Sequence, residues 1–472
     1  MSAMAVAIAA GRDVPASFVD EFVRLERLRG FEPAWLRGIR RDAFECARES
    51  GLPTTRDEEW RFTNVAPIAA LSFSAAPHAA VDGEWVRPYS MAGASAAELV
   101  FVDGRYAPQL SSAAGLPRGA EAGSLAGVLD TCGALIGPHL AHSAAGSVFA
   151  ALNTSLFEDG AFVQLSAGTV VEAPICLLFI STLPYRLAMV HPRVLVVAGP
   201  GSQAQVVELY VSVHPGAGLT NAFTQFLVAE RAVVDHYRLQ DESLHAFHIG
   251  GVEARLERGG VFASHSFTIG GALVRNDVTA TLGGEGGECT LNGLYLAGGE
   301  QLVDNHTLID HTTPLCNSHE VYRGILDGAA RAVFNGKIIV RQDAQKTDAR
   351  QTNRALLLSD AAQIDTKPQL EIFADDVKCM HGATVGQLDE EALFYLRARG
   401  IGRHAARGML IRSFAGEIVD RVKVAALRAR LEGMLGAWLA RCEDAHSGLA
   451  GPDPDSGPPG AEPRVRPGLG DR

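Results

Sequence analysis

The sequence has few cysteines for its length, and none of them lie close together. Seven occur in 472 residues, and no two are nearer in the chain than Cys289 and Cys316. CxxC pairs and zinc-knuckle spacings are therefore absent. We expect neither a self-contained cysteine-ligated cluster nor a disulfide framework.

Long apolar runs and an excess of positive charge are also missing. No stretch is apolar for long enough to cross a bilayer, and the apolar segment 1–10 lacks the basic residues that open a secretion signal. The formal net charge is −12, from 42 basic and 54 acidic residues. Because phosphate binding needs a basic face, an extended nucleic-acid surface is disfavoured. We expect a cytoplasmic protein with no membrane and no nucleic-acid partner.

The standard motifs of nucleotide-binding and hydrolytic enzymes do not occur. The only Gly-Lys pair, Gly336-Lys337, precedes Ile338 rather than Ser or Thr, so no P-loop is present. GxGxxG, GxSxG and HExxH motifs are absent as well. The chain is therefore not expected to hydrolyse ATP by itself or to be a common hydrolase.

The overall composition is that of a folded protein, and the sequence pattern divides the chain into four regions. Apolar residues make up 47% of the chain and charged residues 20%, well away from the composition of disordered chains. We predict a helical and mixed region over 1–155, a strand-rich core over 156–385, a helical region over 386–445 and a disordered Gly/Pro-rich tail over 446–472.

Two helices are predicted near the N-terminus. Ser17 and Asp20 resemble a capping box ahead of an amphipathic run that ends near Gly30. A second run opens at Pro33 and ends near Gly51. The rest of the first region gives no clear pattern.

The core has the period of strands and the punctuation of turns. Val207, Leu209 and Val211 alternate with Glu208 and Tyr210, so that one face is apolar and the other mixed. Gly-Gly pairs recur through the core with β-rich segments between them. No amphipathic helix interrupts this stretch, which disfavours a doubly wound sheet. An antiparallel sandwich and a β-solenoid both remain, and the length of the strand-rich stretch somewhat favours the solenoid.

The helical period returns after Gly386. Acidic residues in a first turn, basic residues in a last turn and Gly400 as a C-cap predict one charged helix. A further helix is predicted from a stripe that is typical of a core-facing side: Leu427, Leu431, Leu435 and Trp438.

Two groups of residues could carry metal chemistry. The denser group lies in 304–319, where Asp304 and His306 share one face of a strand and could bind a metal. Hydrogen bonding within a polar face or turn is the favoured explanation of these residues. The smaller group is Cys379 and His381, which extended geometry also places on one face. Two ligands cannot close a tetrahedral site, so further ligands must come from elsewhere in the fold or from another chain.

Several segments in the second half of the chain resemble the SufB/SufD family of iron-sulfur cluster assembly scaffolds. The resemblance is carried by 334–340 (FNGKIIV), 345–349 (QKTDA), 351–353 (QTN), 368–372 (PQLEI), 375–386 (DDVKCMHGATVG) and 388–397 (LDEEALFYLR). Weaker echoes are 57–64 (DEEWRFTN) and 152–154 (LNT). The segment 378–384 resembles the SufD branch more than the SufB branch, because Gly382 stands where SufB has a glutamate.

The resemblance implies a fold, a site and partners. It implies a right-handed parallel β-helix flanked by N-terminal and C-terminal helical regions. It implies pairing with SufB, with His381 and Cys379 forming part of a shared interface site for iron or an iron-sulfur cluster, and it admits reduced FAD in the complex. It also implies docking of the ATPase SufC on the charged helix, through Asp389, Glu390, Glu391, Phe394, Tyr395 and Arg397. The chain alone is assigned no catalytic residue and no bound cofactor.

Three functions are compatible with these features. The first is a non-catalytic scaffold subunit that supports iron entry and cluster formation, with ATP hydrolysis on SufC. The second is a SufB-like scaffold that works as a homodimer, a state also allowed for the isolated chain. The third is a carbohydrate-active β-helix enzyme that uses the carboxylates and histidines of 304–319.

Overall fold

The computed structural model describes residues 13–77, 83–144, 147–182 and 187–447, with side chains omitted at 143–144 and 443–447. The predicted tail, 446–472, lies outside the described residues except for its first two positions, which belong to the last helix. The apolar segment 1–10 lies outside them as well.

Ten α-helices occur in the described residues, most of them near the two ends of the chain. They are α1 (Ala16–Leu28), α2 (Ala34–Ser50), α3 (Ala66–Ala69), α4 (Gly83–Val86), α5 (Leu125–Val128), α6 (Gly133–Ala144), α7 (Val148–Leu156), α8 (Glu390–Ala398), α9 (Arg403–Val419) and α10 (Ala425–Ser447).

The strands begin with short pieces and continue as a long regular series. They are β1 (Ser74–Ala75), β2 (Ala97–Val102), β3 (Arg105–Tyr106), β4 (Ala120–Ser124), β5 (Gly160–Leu165), β6 (Ile175–Ser181), β7 (Ala188–Val190), β8 (Arg193–Ala198), β9 (Gln203–Ser212), β10 (Gly218–Val228), β11 (Val233–Asp241), β12 (Phe247–Leu256), β13 (Val261–Thr268), β14 (Leu273–Leu282), β15 (Glu288–Ala297), β16 (Leu302–His311), β17 (Asn317–Leu326), β18 (Arg331–Val340), β19 (Asp348–Leu357), β20 (Gln363–Ile372) and β21 (Lys378–Gly386).

These strands form a parallel β-solenoid of about seven turns. From β8 onward, even-numbered strands join the first sheet and odd-numbered strands join the second sheet. Each strand pairs in parallel with the strand two places along, as Leu302 pairs with Arg331 and Asn317 pairs with Asp348. One coil therefore takes roughly 30 residues, within the usual range of solenoid repeats. The prediction of a mainly β solenoid with flanking helices is confirmed, and the antiparallel sandwich is excluded.

The lumen between the two sheets is the principal core. Side chains from both sheets meet there, including Val278, Ile309 and Phe334 of the first sheet and Leu291 and Tyr322 of the second sheet, all of them buried. Each coil cannot bury this surface alone, so stacking of neighbouring coils supplies the hydrophobic stabilisation.

Helices cover the outer faces of both sheets. The N-terminal helices and the segment after α2 pack on the first sheet, where Phe18 and Leu152 join Leu219 and Leu273 in one cluster. The C-terminal helices α9 and α10 pack on the second sheet, and the predicted stripe Leu427, Leu431, Leu435 and Trp438 is buried there as expected.

This arrangement gives the strand alternation at 207–211 an unexpected orientation. Val207, Leu209 and Val211 face outward and pack beneath the C-terminal helices, whereas Glu208 and Tyr210 are buried on the other face. The mixed face is therefore the lumenal one, and both faces are shielded from water.

Two local predictions need correction. The capping box is wrong, because α1 starts at Ala16 after Pro15 and Ser17 lies inside the helix with no hydrogen-bond partner for its hydroxyl group. The Gly-Gly pair at 250–251 is not a turn, since it lies within β12, where a side chain on Gly251 would overlap the ring of Phe223. The second helix is confirmed, beginning after Pro33 and ending before Gly51 at φ 63°.

The two ends of the solenoid differ. At the end nearer the N-terminus, β3 pairs with β2 and β4 pairs with β5, and both pairings are antiparallel. At the other end, β20 and β21 are the last strands of the first and second sheets. In the described part of the chain, no strand pairs with their outer edges.

Candidate functional site

The open end of the solenoid, which we define as β20 and β21, is the most exposed part of the strand series. Every residue of β21 except Cys379 is exposed, including Met380 (60%). Phe373, the residue that follows β20, is also exposed (59%). Backbone N–H and C=O groups along an outer edge strand have no ladder partner. This end therefore offers both hydrogen-bonding groups and apolar side chains to another chain.

The sequence-predicted residues Cys379 and His381 lie on β21 at this open end. Cys379 is paired with Ala349 of β19 and packs against the lumenal core, and His381 is paired with Gln351. Because alternate residues of a strand share a face, both side chains lie on the lumenal side of the sheet. The structure therefore brings the two together at the mouth of the lumen.

The two side chains differ in their contact with water. Cys379 is half-buried and His381 is exposed. Burial raises the pKa of the Cys379 thiol, and the nearby carboxylate of Asp348 raises it further. The thiol is therefore protonated at neutral pH in the free chain, so binding of a metal as thiolate must release a proton.

The pair does not form a complete metal site within this chain. Among the residues that the structure describes, no group of three or more His, Cys, Asp and Glu side chains is arranged to hold a metal ion. A tetrahedral iron or zinc site needs four ligands. Any metal held by Cys379 and His381 must take its remaining ligands from outside the described chain.

Beneath His381, the lumen holds two polar residues that sequence reasoning missed. Glu320 of β17 pairs in register with Gln351 of β19, which in turn pairs with His381. Gln351 Nε2 donates a hydrogen bond of 2.8 Å to Glu320 Oε2. Burial raises the pKa of Glu320 to about 7. Gln351 lies in one of the motifs quoted above, but its neighbour in space is about 30 positions away in the chain.

A second polar group lies deeper in the lumen. Arg238 donates through Nε and one terminal nitrogen to Glu208, at 3.2 and 3.1 Å, and His236 Nε2 lies 3.4 Å from the same carboxylate. Burial by itself would raise the pKa of Glu208, but Arg238, His236 and Thr224 together more than offset this and hold the pKa well below its usual range. This carboxylate is fully buried and charged, and Arg238 supplies its counter-charge.

The residues of 304–319 do not form one site. His311 and Cys316 are buried in the lumen, where His311 bonds to Ser318 at 2.9 Å. Asp310 pairs with Arg341 at 2.9 Å, and His319 is exposed on β17. The carboxylates therefore share no catalytic geometry, and the carbohydrate-active alternative loses the site on which it depends.

Asp304 and His306 instead belong to a clamp between the first sheet and the N-terminal region. Asp304 receives hydrogen bonds from Thr63 and from Arg275, the latter at 2.8 Å, and forms an ion pair with His306. The guanidinium of Arg275 also lies 3.7 Å from the ring centroid of Trp60. The hydrogen-bonding explanation of Asp304 and His306 therefore fits the structure better than a metal site.

This clamp forms one wall of a cleft of about 770 Å³ between the N-terminal region and the first sheet. The cleft lies on the outer face of the first sheet and not in the lumen, and its charged groups bind one another. Lys337 pairs with Glu371 at 2.7 Å, and Arg275 donates to the carbonyl oxygen of Glu59 and to Asp277. The cleft therefore presents few uncommitted donors to a ligand.

The charged helix α8 follows β21 directly. Asp389 is its N-cap and accepts from the backbone N–H groups of Glu391 and Ala392, at 2.9 and 3.1 Å. Phe394 and Tyr395 are 72% and 56% exposed. The remaining predicted docking residues, Glu390, Glu391 and Arg397, are also exposed on this helix. The structure thus gathers the predicted docking residues on one short helix beside the open end.

No described helix is both long and apolar enough to cross a membrane.

Comparisons with known proteins place most of the chain in one family. The family model for the SufBD protein N-terminal region matches residues 24–177, and the model for the SUF system FeS cluster assembly SufBD core domain matches residues 181–414. The two models follow one another along the chain and leave unmatched only residues 178–180 and the two ends.

Curated relatives align with most of the chain. A SufBD family iron-sulfur cluster assembly protein of Synechocystis is 34% identical over 411 residues, which are 85% of this chain and 91% of the relative. The iron-sulfur cluster assembly protein SufD of Escherichia coli is 33% identical over 396 residues, 83% of this chain and 90% of the relative. The chloroplastic protein ABCI7 of Arabidopsis thaliana is 30% identical over 421 residues, 86% of this chain and 88% of the relative.

These matches confirm the resemblance to SufD that the sequence predicts. The fold, the two family models and the relatives agree along nearly the full described length. The chain belongs to the SufBD family of the SUF iron-sulfur cluster assembly system.

Proposed function

We propose that this chain is a non-catalytic scaffold subunit that pairs with a SufB protein, binds the ATPase SufC and supports iron entry and nascent cluster formation. The observation that carries the proposal is the position of Cys379 and His381 on an exposed edge strand at the open end of the solenoid. An incomplete ligand set placed on a surface that can pair with another chain is the arrangement expected of a shared site.

The chemistry of the two side chains suits this role. A thiolate and a neutral imidazole are ligands for iron and for iron-sulfur clusters. Iron is the cargo of such a site, so the pair needs to hold it only until a cluster is complete. Two ligands from one chain give weaker binding than a full set, which allows the cargo to leave.

The edges of β20 and β21 supply the means of pairing. An exposed strand edge is a template for addition of a further strand. The partner's strands would extend both sheets, and its side chains would meet Cys379 and His381 at the mouth of the lumen.

ATP hydrolysis belongs to the partner in this proposal. The sequence has no P-loop, and α8 presents two exposed aromatic side chains on a charged helix. Aromatic residues are prominent in the energetically important parts of protein interfaces. We assign this helix to SufC docking.

The test is co-expression of the chain with the SufB and SufC proteins of the same organism, followed by cluster assembly on the purified complex. We expect His381→Ala to leave the complex intact and to reduce the cluster yield strongly, and Cys379→Ser to reduce it as well. His245→Ala is the matched control, because His245 is an exposed histidine in the loop between β11 and β12. Equal cluster yields from the His381 variant and the control would show that the proposed site is wrong.

The same purification separates the scaffold from the homodimeric alternative. A heteromeric complex with SufB supports the proposal. A chain that forms only a dimer with itself, and assembles clusters in that form, supports the SufB-like alternative instead.

A further inference from the structure

The feature that carries a further inference is a column of three in-register residues that ends at His381. Glu320, Gln351 and His381 occupy equivalent positions on β17, β19 and β21. Residues paired in register on parallel strands project to the same side of the sheet. The column therefore runs along the lumen from a buried carboxyl group to the exposed histidine, with Gln351 between them.

The amide of Gln351 is held at one end only. Its Nε2 donates to Glu320 Oε2 at 2.8 Å, whereas its Oε1 is buried and has no hydrogen-bond partner. Gln351 is 1% exposed. A buried acceptor that makes no hydrogen bond destabilises the fold, so this oxygen requires an explanation in a folded protein.

The opposite wall of the lumen fixes the amide in place. Gly336 of β18 faces Gln351, and a Cβ atom at that position would lie 2.8 Å from Gln351 Cδ. A side chain at this position would displace the amide of Gln351 or the ring of Phe334. The amide therefore lies between Gly336 and Glu320. The in-register residue on the next strand is His381, and the free oxygen of the amide makes no hydrogen bond to it in this structure.

We propose that Gln351, anchored by Glu320, is a positioning residue for His381. When the exposed side chain of His381 turns toward the lumen, Gln351 Oε1 accepts the hydrogen of one ring nitrogen, and the other ring nitrogen then carries the lone pair. This inference rests on the proposed function of His381 as an iron ligand.

The physical reason is the choice of tautomer. A neutral histidine carries one N–H hydrogen, and the hydrogen bond made by one ring nitrogen decides which nitrogen is free to bind metal. Metal-ligating histidines regularly donate their second nitrogen to a carbonyl or carboxylate oxygen, which also fixes the orientation of the ring. Gln351 supplies such an oxygen from within the lumen.

The test measures the tautomer of His381 directly. The full chain is labelled with ¹⁵N-histidine, and the ring resonances of His381 are assigned by comparison with His381→Ala. We expect one dominant tautomer with a slowly exchanging ring hydrogen in the unaltered chain. In Gln351→Leu we expect a mixture of tautomers and faster exchange of that hydrogen.

The matched control is Asn353→Leu. Asn353 lies two residues further along β19, is also buried, and pairs with Ala383 rather than with His381. Both substitutions remove a buried amide from the same strand, so loss of stability alone affects both. We expect Asn353→Leu to leave the His381 resonances unchanged.

A second variant covers the case in which Gln351→Leu does not fold. Gln351→Asn keeps a polar side chain but is one methylene shorter, so its oxygen is drawn back from His381. We again expect a mixture of tautomers and faster exchange of the ring hydrogen of His381. If the Gln351 variants that fold keep the tautomer ratio and exchange rate of the unaltered chain, the proposal is overturned.

The experiment also separates this proposal from the proposed function of His381 on which it rests. We expect Gln351→Leu to lower the affinity of the SufB-containing complex for Fe²⁺ roughly 10- to 100-fold. An unchanged His381 tautomer together with loss of cluster assembly in His381→Ala would reject the role of Gln351 alone. An unchanged cluster yield in His381→Ala would reject the proposed function itself.

Discussion

His306 Nε2 lies 3.0 Å from Asp304 Oδ1, in an ion pair that links two residues of β16 beneath the N-terminal region. His306 is 12% exposed and Asp304 is fully buried. Burial by itself would lower the pKa of His306, but the carboxylate of Asp304, helped by Glu59, outweighs this and raises it to about 9. The histidine is therefore charged at neutral pH.

The ion pair predicts a pH dependence of stability. Because the pKa of His306 is higher in the folded chain than in the unfolded chain, the pair contributes fully below about pH 6.5 and its contribution is lost as the pH rises through about 9. We expect the free energy of unfolding to fall by up to about 3 kcal/mol over this interval. Urea unfolding at several pH values measures the slope, and His306→Gln should reduce it. The same slope in both proteins would contradict the assignment.

Two glycines of β15 and β17 each lie against a tyrosine ring of the other strand, and these positions do not tolerate a larger side chain. Gly293 pairs with Tyr322 and Tyr295 pairs with Gly324, and a methyl group on either glycine would overlap the ring of its partner. Both rings are almost completely buried. We expect Gly293→Ala to lower the free energy of unfolding by roughly 1–3 kcal/mol through overpacking.

The control for this substitution is a glycine with open space around it. Gly433 lies in α10, and no atom is near the position of its missing Cβ. Gly433→Ala should raise the stability by up to about 1 kcal/mol, because alanine favours the helix more than glycine does. Chemical denaturation of both variants measures the difference, and equal effects would contradict the packing argument.

The proposed pairing with SufB predicts an effect of charge at the open end. Val385 of β21 is 43% exposed, so Val385→Lys should change the free energy of unfolding by no more than about 0.5 kcal/mol. In the complex, the lysine would have to be buried against the partner, which is costly. We expect SufB to be lost from the co-purified complex, as measured by size-exclusion chromatography with light scattering.

The matched control for Val385→Lys is Leu244→Lys. Leu244 is 56% exposed and lies in the loop between β11 and β12. The control should retain SufB. Retention of SufB by both variants would show that the partner does not use β21.

The proposed docking of SufC predicts a separate effect on α8. Phe394→Ala removes a side chain that is 72% exposed, so the fold should be little affected. Loss of an aromatic anchor at an interface typically costs more than about 2 kcal/mol, which is roughly a 30-fold loss of affinity. Calorimetric titration of the chain with SufC measures this. Phe31→Ala removes a phenylalanine that is 86% exposed in the N-terminal region, and it should bind SufC normally; equal binding by the two variants would argue against α8.

The sequence predicts the strands better than it predicts their surroundings. Alternation at Val207 and Leu209 correctly indicates a strand, but it does not reveal that these side chains face the C-terminal helices. The usual rule that the apolar face is the inner face fails because both faces are buried here, and the lumen accommodates Glu208 by pairing it with Arg238.

The candidate site was predictable only in part. Cys379 and His381 are two residues apart, so the period of a strand is enough to place them together. Glu320 and Gln351 are about 30 positions apart, and coil lengths vary along the solenoid. Their contact depends on register that one sequence does not contain.

The antiparallel strands β3 and β4 limit how far such an assembly can grow. They are the edge strands at one end of the solenoid and have only two and five residues, so that end offers a much shorter template than β20 and β21, which have ten and nine. A rod with two open ends could stack repeatedly into a fibre. A rod with one open end stops after a single partner, which confines strand addition to a pair of chains.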